Sequence, residues 1–171
     1  MVFLNKKGFT FIETIIYTVI IGGVIVSFIS FALSIQSSRE KNYIIQETQA
    51  NNRMALQAIT NKIRMANGIN SSTSIFGSDP GIISLNMASP SQDPTIIDLN
   101  QDDGVLRIKE GAQDAYAITS SKVQISHLIF TNFTSSSERE NIGIEITARY
   151  EGDDANYTYE QSLKSSVSLR Q

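Results

Sequence analysis

Gly8, Phe9 and Glu13 are the residues whose types and spacing first suggest chemistry. Glu13 lies at the start of an apolar segment, where a carboxylate costs on the order of 3 kcal/mol and usually pairs with a cation. Cleavage of the peptide bond between Gly8 and Phe9 would provide that cation, because the new α-amino group is protonated at neutral pH. The pattern therefore predicts cleavage after Gly8 and pairing of Glu13 with the Phe9 amine of a neighbouring subunit.

The segment that follows Glu13 has the character of a membrane span. From Thr14 to Ile35 the sequence contains no charged residue, and a helix of this length crosses the ~30 Å hydrocarbon core of a bilayer. Lys6 and Lys7 directly precede the apolar run, and such lysines hold their end of a span in the cytoplasm. We therefore expect a single-pass protein of the inner (cytoplasmic) membrane, with a cytoplasmic N-terminus and an extracytoplasmic globular domain.

Two other interpretations of this segment remain open. Ala32-Leu33-Ser34 has the small-x-small pattern of a signal peptidase site, which would make the segment a secretory signal peptide. The apolar region of such a signal runs ~7–15 residues and carries no acid, so the longer run with Glu13 disfavours this interpretation. The second alternative is an uncleaved single-span anchor, in which Gly8, Phe9 and Glu13 would be coincidences.

Composition offers little for enzyme chemistry. The chain contains no cysteine and only one histidine, His127, so the usual thiolate or imidazole metal sites and a Cys–His dyad cannot be assembled. The sequence also lacks a nucleophile with a base and a Gly-rich phosphate loop, so we expect neither enzyme activity nor a cofactor. A net charge of −3 without a Lys/Arg cluster argues against nucleic-acid binding. His127 is expected to be an ordinary strand residue, with partner sensing as the alternative.

One acidic cluster approaches the ligand spacing of a calcium loop. Asp98, Asn100, Asp102 and Asp103 supply oxygen ligands, although Gly104 comes one position later than the EF-hand pattern requires. Asp-Asp-Gly between two strand patterns is more simply a solvated hairpin turn. No metal site is therefore predicted.

The N-terminal residues resemble the class III signal of type IV pilins and type II secretion pseudopilins. They share its short basic leader, Gly8, Phe9-Thr10, and an acid, Glu13, at the fifth position after the glycine. The resemblance implies that prepilin peptidase, a membrane aspartyl protease, cuts after Gly8 on the cytoplasmic face and methylates the amine of Phe9. It also implies that Glu13 neutralises the amine of an adjacent subunit as the helix passes from the bilayer into a filament.

The span is predicted to continue as an amphipathic helix. Arg39 to Asn67 contains neither proline nor glycine, and Asn67-Gly68 predicts a left-handed stop near Ala66. Gly22 and Gly23 predict close helix packing, with local unwinding as the alternative. One stripe recurs at spacings of three and four and is expected to face a sheet: Asn52, Leu56, Ile59, Ile63 and Ala66.

After this helix the period of the sequence changes to two. The region 69–94 reads as a loop with one strand at Ile82–Leu85, and it is the least defined part of the chain. Leu128-Ile129-Phe130 interrupts the alternation and suggests a bulge or burial on both faces. Further strands are predicted at Ile96–Leu99, Gly104–Ile108 and Tyr116–Thr119, followed by an antiparallel meander of Val123–Phe133, Ile142–Tyr150 and Tyr157–Leu169.

These elements predict an α+β fold of the pilin plan, in which a long N-terminal helix packs on an antiparallel β-sheet. The expected parts are a prepilin leader (1–8), a transmembrane helix half (9–35), an amphipathic helix half (36–67) and a globular β-sheet domain (68–171). Several segments resemble pseudopilin J and the PilW-type minor pilins: Asn52-Arg53 to Ile63-Arg64-Met65-Ala66, Leu106-Arg107, Ile129-Phe130-Thr131-Asn132 and Ser166-Val167-Ser168-Leu169-Arg170. The span also lacks the proline of many major pilins, and no C-terminal cysteine pair is present.

The expected function is a non-enzymatic structural subunit, a minor pilin or pseudopilin of a type IV pilus or type II secretion pseudopilus. Its expected partners are prepilin peptidase, the inner membrane and other pilins or pseudopilins in a filament or tip complex. The alternative is a single-span, membrane-anchored extracytoplasmic binding or adhesion module that is not assembled into a filament.

Overall fold

The computed structural model describes residues 8–134, 140–151 and 157–169. It contains one long helix, α1 (Phe11–Met65), and divides after Asn42 into two compact units. Lys6 and Lys7 of the predicted leader lie outside the described residues. The strands are β1 (Gly68–Ile69), β2 (Ile83–Asn86), β3 (Thr95–Asn100), β4 (Val105–Glu110), β5 (Tyr116–Ala117), β6 (Val123–Asn132), β7 (Asn141–Tyr150) and β8 (Glu160–Ser168).

The first unit is the amino half of α1. Its apolar side chains are exposed along the predicted span, including Ile20 and Phe28, which are 56% and 73% exposed. By length and composition α1 could cross a membrane. The long apolar N-terminal helix that the sequence predicts is therefore confirmed.

The second unit contains two antiparallel sheets rather than the single sheet that the sequence suggested. Strands β1 to β5 form one sheet in sequential order, and β6, β7 and β8 form the other as the predicted meander. The first sheet ends at β5, which is only two residues long. The backbone of β6 bonds to the turns at Gly81 and Gly104 instead, with Gly81 N to Leu128 O at 2.6 Å and Ile125 N to Gly104 O at 2.7 Å. The α+β class is confirmed, and the single-sheet expectation is wrong.

The end of α1 differs from the predicted left-handed stop. The helix ends at Met65, and Ala66 N donates to Ile63 O in a tighter last turn. Gly68 does not adopt a positive φ, because it begins β1 and pairs with Asn86. Strand pairing of this segment therefore replaces the expected cap.

The bulge in β6 also lies earlier than predicted. The register between β6 and β7 shifts between Ile125 and His127, so Ser126 is the extra residue. Leu128 and Phe130 are fully buried on one face, whereas Ile129 is only half-buried. Leu128 and Phe130 thus face the core, Ile129 is partly sheltered on the other face, and the β-bulge lies just before this apolar run.

Within this second unit, the carboxyl half of α1 packs in the core through a stripe close to the predicted one. Ile59 and Ile63 are fully buried, and Ala55 takes the central position expected for Leu56, which is half-buried. The predicted dry face of β7 is confirmed, because four of its alternate residues are buried in the same core. These residues are Ile142, Ile144, Ile146 and Ala148.

Polar side chains occupy the part of the buried helix stripe that lies toward the N-terminus. Thr48, Asn51 and Asn52 are each 4% exposed or less. Asn52 Nδ2 donates to the carbonyl of Gln161 at 2.8 Å, and Asn51 Oδ1 accepts from the backbone N–H of Ser120 at 2.9 Å. These bonds attach α1 to β8 and to the segment before β6.

Candidate processing and assembly site

The predicted cleavage point lies outside regular structure. Gly8, Phe9 and Thr10 are exposed and precede α1, so the peptide bond between Gly8 and Phe9 is accessible. A Cβ built on Gly8 would meet nothing within 4 Å. The packing of the described chain therefore gives no reason for glycine at this position, and a requirement for it would have to come from a protease.

Glu13 takes part in the N-terminal cap of α1. Glu13 N donates to Thr10 Oγ1 at 3.4 Å, and Thr10 N donates to Glu13 Oε2 at 3.5 Å, in the reciprocal arrangement of a capping box. Tyr17 adds a third interaction, because its hydroxyl donates to Glu13 Oε1 at 3.3 Å. The roles of Thr10 and Tyr17 were missed from the sequence, although Thr-x-x-Glu before an apolar run is a recognisable capping pattern.

The Glu13 carboxylate retains capacity for a charged donor. Its two bonds are long and come from neutral groups, whereas an ionised carboxylate has about four lone-pair sites and forms shorter, stronger bonds to cations. Across residues 8–134, 140–151 and 157–169, no ion pair involves Glu13. Phe9 is held nearby, with its ring edge-on to that of Tyr17 at 6.4 Å.

The polar residues of the span leave few unsatisfied groups for lipid. The hydroxyls of Thr18, Ser27 and Ser30 donate to the carbonyls four residues earlier at 2.8 to 2.9 Å. Gly22 and Gly23 are helical, and a Cβ at either would meet nothing within 4 Å. The space beside them is open to a second helix, as the packing interpretation of these glycines requires.

The acidic cluster forms the predicted hairpin turn. Gly104 adopts φ of 64°, its N–H donates to Asn100 O at 2.8 Å, and Asp103 Oδ1 accepts from Val105 N at 3.1 Å. Asp98 is engaged by Arg107 on the paired strand through two bonds of 3.1 and 2.9 Å. Among the described residues, no group of three or more His, Cys, Asp or Glu side chains could hold a metal ion.

Glu110 connects α1 to the first sheet. Its carboxylate accepts bonds from Lys62 on α1, from Gln92 at 3.1 Å and from Tyr116 at 3.0 Å. The Lys62 bond holds the pKa of Glu110 below its usual value, with the Tyr116 and Gln92 bonds acting in the same direction against the effect of burial. Burial, followed by the Glu110 bond, raises the pKa of Tyr116.

We expect Glu110→Gln to lower the free energy of unfolding by about 2 kcal/mol at pH 7, because it leaves Lys62 without its charged partner. A carboxyl whose pKa is lower in the folded state stabilises above its unfolded pKa, and this contribution is lost as pH falls through the folded value. The difference in melting temperature between Glu110→Gln and the parent should therefore become smaller as the pH is lowered from 7 to 3. Glu151→Gln, at an exposed acid, is the control, and a constant difference between Glu110→Gln and the parent would contradict this role.

His127 is exposed on β6 and bonds through Nδ1 to the Asp79 carboxylate. This bond raises the pKa of His127, and the charges of Asp79, Glu160 and Glu145 add to it, whereas burial opposes it. Asp79 also accepts from the N–H of Leu128 at 3.0 Å. His127 is thus a strand residue, as expected, and its pairing with a loop residue was not foreseen.

We expect Asp79→Asn to return the pKa of His127 toward its ordinary value, since asparagine can still accept from Leu128 N but carries no charge. A histidine whose pKa is higher in the folded state stabilises below its unfolded pKa, and the contribution is lost as pH rises through the folded value. NMR titration of the His127 imidazole would measure this pKa in the parent and in Asp79→Asn. An unchanged titration midpoint would refute the assignment.

Comparison of the chain with protein-family models, with curated proteins and with solved structures finds no match.

Proposed function

We propose that this chain is a non-enzymatic structural subunit of the type IV pilin class, a minor pilin or pseudopilin processed after Gly8. One observation carries the proposal: an accessible Gly8–Phe9 bond directly precedes a capped apolar helix whose Glu13 carboxylate has no cationic partner in the described chain. A membrane anchor that is not processed would not require the combination of an accessible Gly8–Phe9 bond, a capped apolar helix and an unpaired Glu13 carboxylate.

In this proposal the precursor enters the inner membrane with Lys6 and Lys7 on the cytoplasmic side. Prepilin peptidase cuts after Gly8 and methylates Phe9, and the resulting secondary amine remains protonated at neutral pH. The amine then pairs with Glu13 of an adjacent subunit, which removes an unpaired charge from each helix in a low-dielectric environment. The exposed apolar surface of α1 provides the contacts with lipid before assembly and with other helices afterwards.

The globular domain is extracytoplasmic in this arrangement and serves assembly rather than catalysis. Within the described ranges, its least exposed ion pairs join secondary-structure elements: Lys62 with Glu110 and Arg107 with Asp98. Such pairs stabilise a surface and do not by themselves constitute an active site.

The direct test is the N-terminus of the membrane-extracted protein. Mass spectrometry should find N-methyl-Phe9 in cells that contain a prepilin peptidase and the uncut precursor in cells that lack it. An intact Met1 in both strains would overturn the proposal in favour of an anchored binding module. A start at Ile35 would instead identify a secretory signal peptide.

A further inference from the structure

Among the described residues the two sheets have four edges, and three of these are short or covered. β1 and β5, at the edges of the five-stranded sheet, contain two residues each. β1 is further protected by Glu140, whose carboxylate accepts from Ile69 N at 3.0 Å. Edges of this kind offer little backbone to an incoming strand.

The β6 edge is covered by two turns. The turn at 77–81 donates Gly77 N to Phe130 O at 2.8 Å, and Asp79 accepts from Leu128 N at 3.0 Å. The hairpin turn covers the other half, because Gly104 O accepts from Ile125 N. Both halves of the β6 backbone are therefore occupied.

The remaining edge, β8, is nine residues long and is paired on one side only. Tyr150 N donates to Tyr159 O, and Leu169 N donates to Glu140 O, each at 3.0 Å. In an antiparallel pair, hydrogen-bonded and non-hydrogen-bonded residue pairs alternate along the strands. These two bonds therefore show that the odd-numbered residues of β8 are the ones whose backbone groups bond to β7. The backbone groups of the even-numbered residues therefore point away from β7, at Glu160, Ser162, Lys164, Ser166 and Ser168.

This edge lacks the usual protective devices. β8 contains no proline, and the side chains of Ser162, Ser166 and Ser168 are small and exposed. Its single lysine, Lys164, is drawn toward the neighbouring strand by Glu145 at 2.8 Å. The described residues supply no hydrogen-bond partner for the outward backbone groups of β8.

We propose that β8 binds an extended segment of a different polypeptide, which adds a fourth, antiparallel strand to this sheet. The charges on the edge define the segment: a basic residue opposite Glu160 and an acidic residue opposite Lys164. On the other face, Val167 is buried in the core and Leu163 is half-buried against it, which favours apolar residues at the alternate positions. The partner is thus an amphipathic strand with an acid and a base four residues apart.

A second copy of β8 would satisfy the same charges, but its geometry conflicts with membrane anchoring. Antiparallel pairing about Ser162 places Glu160 opposite Lys164 of the other copy. The two-fold axis of such a pair is perpendicular to the sheet, so the carboxyl halves of the two α1 helices would run in opposite directions. Both carboxyl halves continue from anchors that enter one membrane from the same side, so the proposed function disfavours this pair, and on this point the inference rests on the proposed function.

The test uses the full chain in lipid nanodiscs and a fluorescein-labelled peptide, Thr-Val-Thr-Val-Glu-Val-Thr-Val-Lys, which matches β8 in length and charge. Ser162→Pro removes an N–H that points away from β7, so it should leave the fold intact while blocking an added strand. Ser162→Ala keeps the N–H and is the matched control. Ser166→Pro removes a second outward N–H and provides an independent variant if Ser162→Pro fails to fold.

We expect fluorescence anisotropy to show binding by the parent and Ser162→Ala, and at least tenfold weaker binding by the proline variants. Exchanging Glu and Lys in the peptide should also weaken binding. Absence of binding by the parent, equal binding by folded proline variants, or equal binding of the exchanged peptide would overturn the proposal. If the parent self-associates and the proline variants do not, the β8 edge instead binds a second copy of this chain. None of these outcomes depends on the state of the N-terminus, so failure here is distinguishable from failure of the proposed function.

Discussion

Gly8→Leu should leave the precursor uncut in cells that contain a prepilin peptidase, with processing reduced at least 100-fold. Gly8 lies before α1 and a Cβ there would meet nothing within 4 Å, so the variant chain should fold and insert like the parent. The loss would arise in the protease, whose active site must accept the residue that precedes the cut bond. Quantitative mass spectrometry of the mature and precursor N-termini would measure the ratio.

Gly22→Leu is the matched control for this experiment. Gly22 also lies in open space, yet it is inside the helix and distant in sequence from the cleavage point. This variant should be cut at the parental rate. Normal cutting of Gly8→Leu, or equal loss of cutting in both variants, would contradict a specific role for Gly8.

Glu13→Ala should permit cleavage after Gly8 but reduce assembly with neighbouring subunits on the order of 100-fold. An unpaired charge in a hydrocarbon environment costs on the order of 3 kcal/mol, and 1.4 kcal/mol corresponds to a factor of ten. In the proposed assembly, the methylated amine of Phe9 would lose its partner in this variant. Recovery of the protein in sheared filaments, or in cross-linked complexes, would be compared with its amount in the membrane.

Glu13→Gln separates the charge from the helix cap. Glutamine can still reach back to Thr10 N in the capping box, so this variant retains the cap while it loses the charge. We expect Glu13→Gln to fail in assembly as Glu13→Ala does, whereas Glu40→Ala, at an exposed acid on the same helix, should assemble normally. Normal assembly of Glu13→Gln would reduce Glu13 to a capping residue, and an uncut Glu13→Ala would place it in peptidase recognition.

Local patterns predicted the parts of the fold that depend on local physics. The alternation at Ile142, Ile144, Ile146 and Ala148 identified the core-facing side of β7 because successive side chains point to opposite faces, although Gly143 and Thr147 on the opposite face are buried as well. Ile59 and Ile63 identified the buried helix face because residues four apart share a side. The turn at Gly104 was predictable because the Asp-Asp-Gly sequence supplies a residue that tolerates positive φ.

Long-range pairings were not predictable from these patterns. Lys62 and Glu110 are 48 residues apart, and nothing in their neighbourhoods selects one acid among several for that lysine. Asp79 lies in a loop whose contact with His127 and Leu128 depends on how the turn at 77–81 crosses the β6 edge. The division into two sheets has the same origin, since it depends on which backbone groups of β6 the turns occupy.

In the candidate site, too, some features could be predicted from local sequence and others could not. Gly8, Phe9 and Glu13 are close in sequence, so a motif could identify them together. The bond from Tyr17 to Glu13 follows from helical spacing, but it could not be assigned without knowing that the side chains point to one another. The β8 edge has no sequence motif, because its openness depends on what the other strands leave uncovered.

The amides of Asn51 and Asn52, together with the Lys62–Glu110 pair, oppose sliding of the carboxyl half of α1 under mechanical load. A helix held only by aliphatic contacts could slide by one turn, about 5.4 Å, and bury similar residues in its new position. Sliding α1 would separate Asn52 from the carbonyl of Gln161 and Asn51 from the N–H of Ser120, at about 1–3 kcal/mol for each buried group left unsatisfied. Tension along the carboxyl half of α1 is therefore transmitted through these two amides to β8 and to the segment before β6.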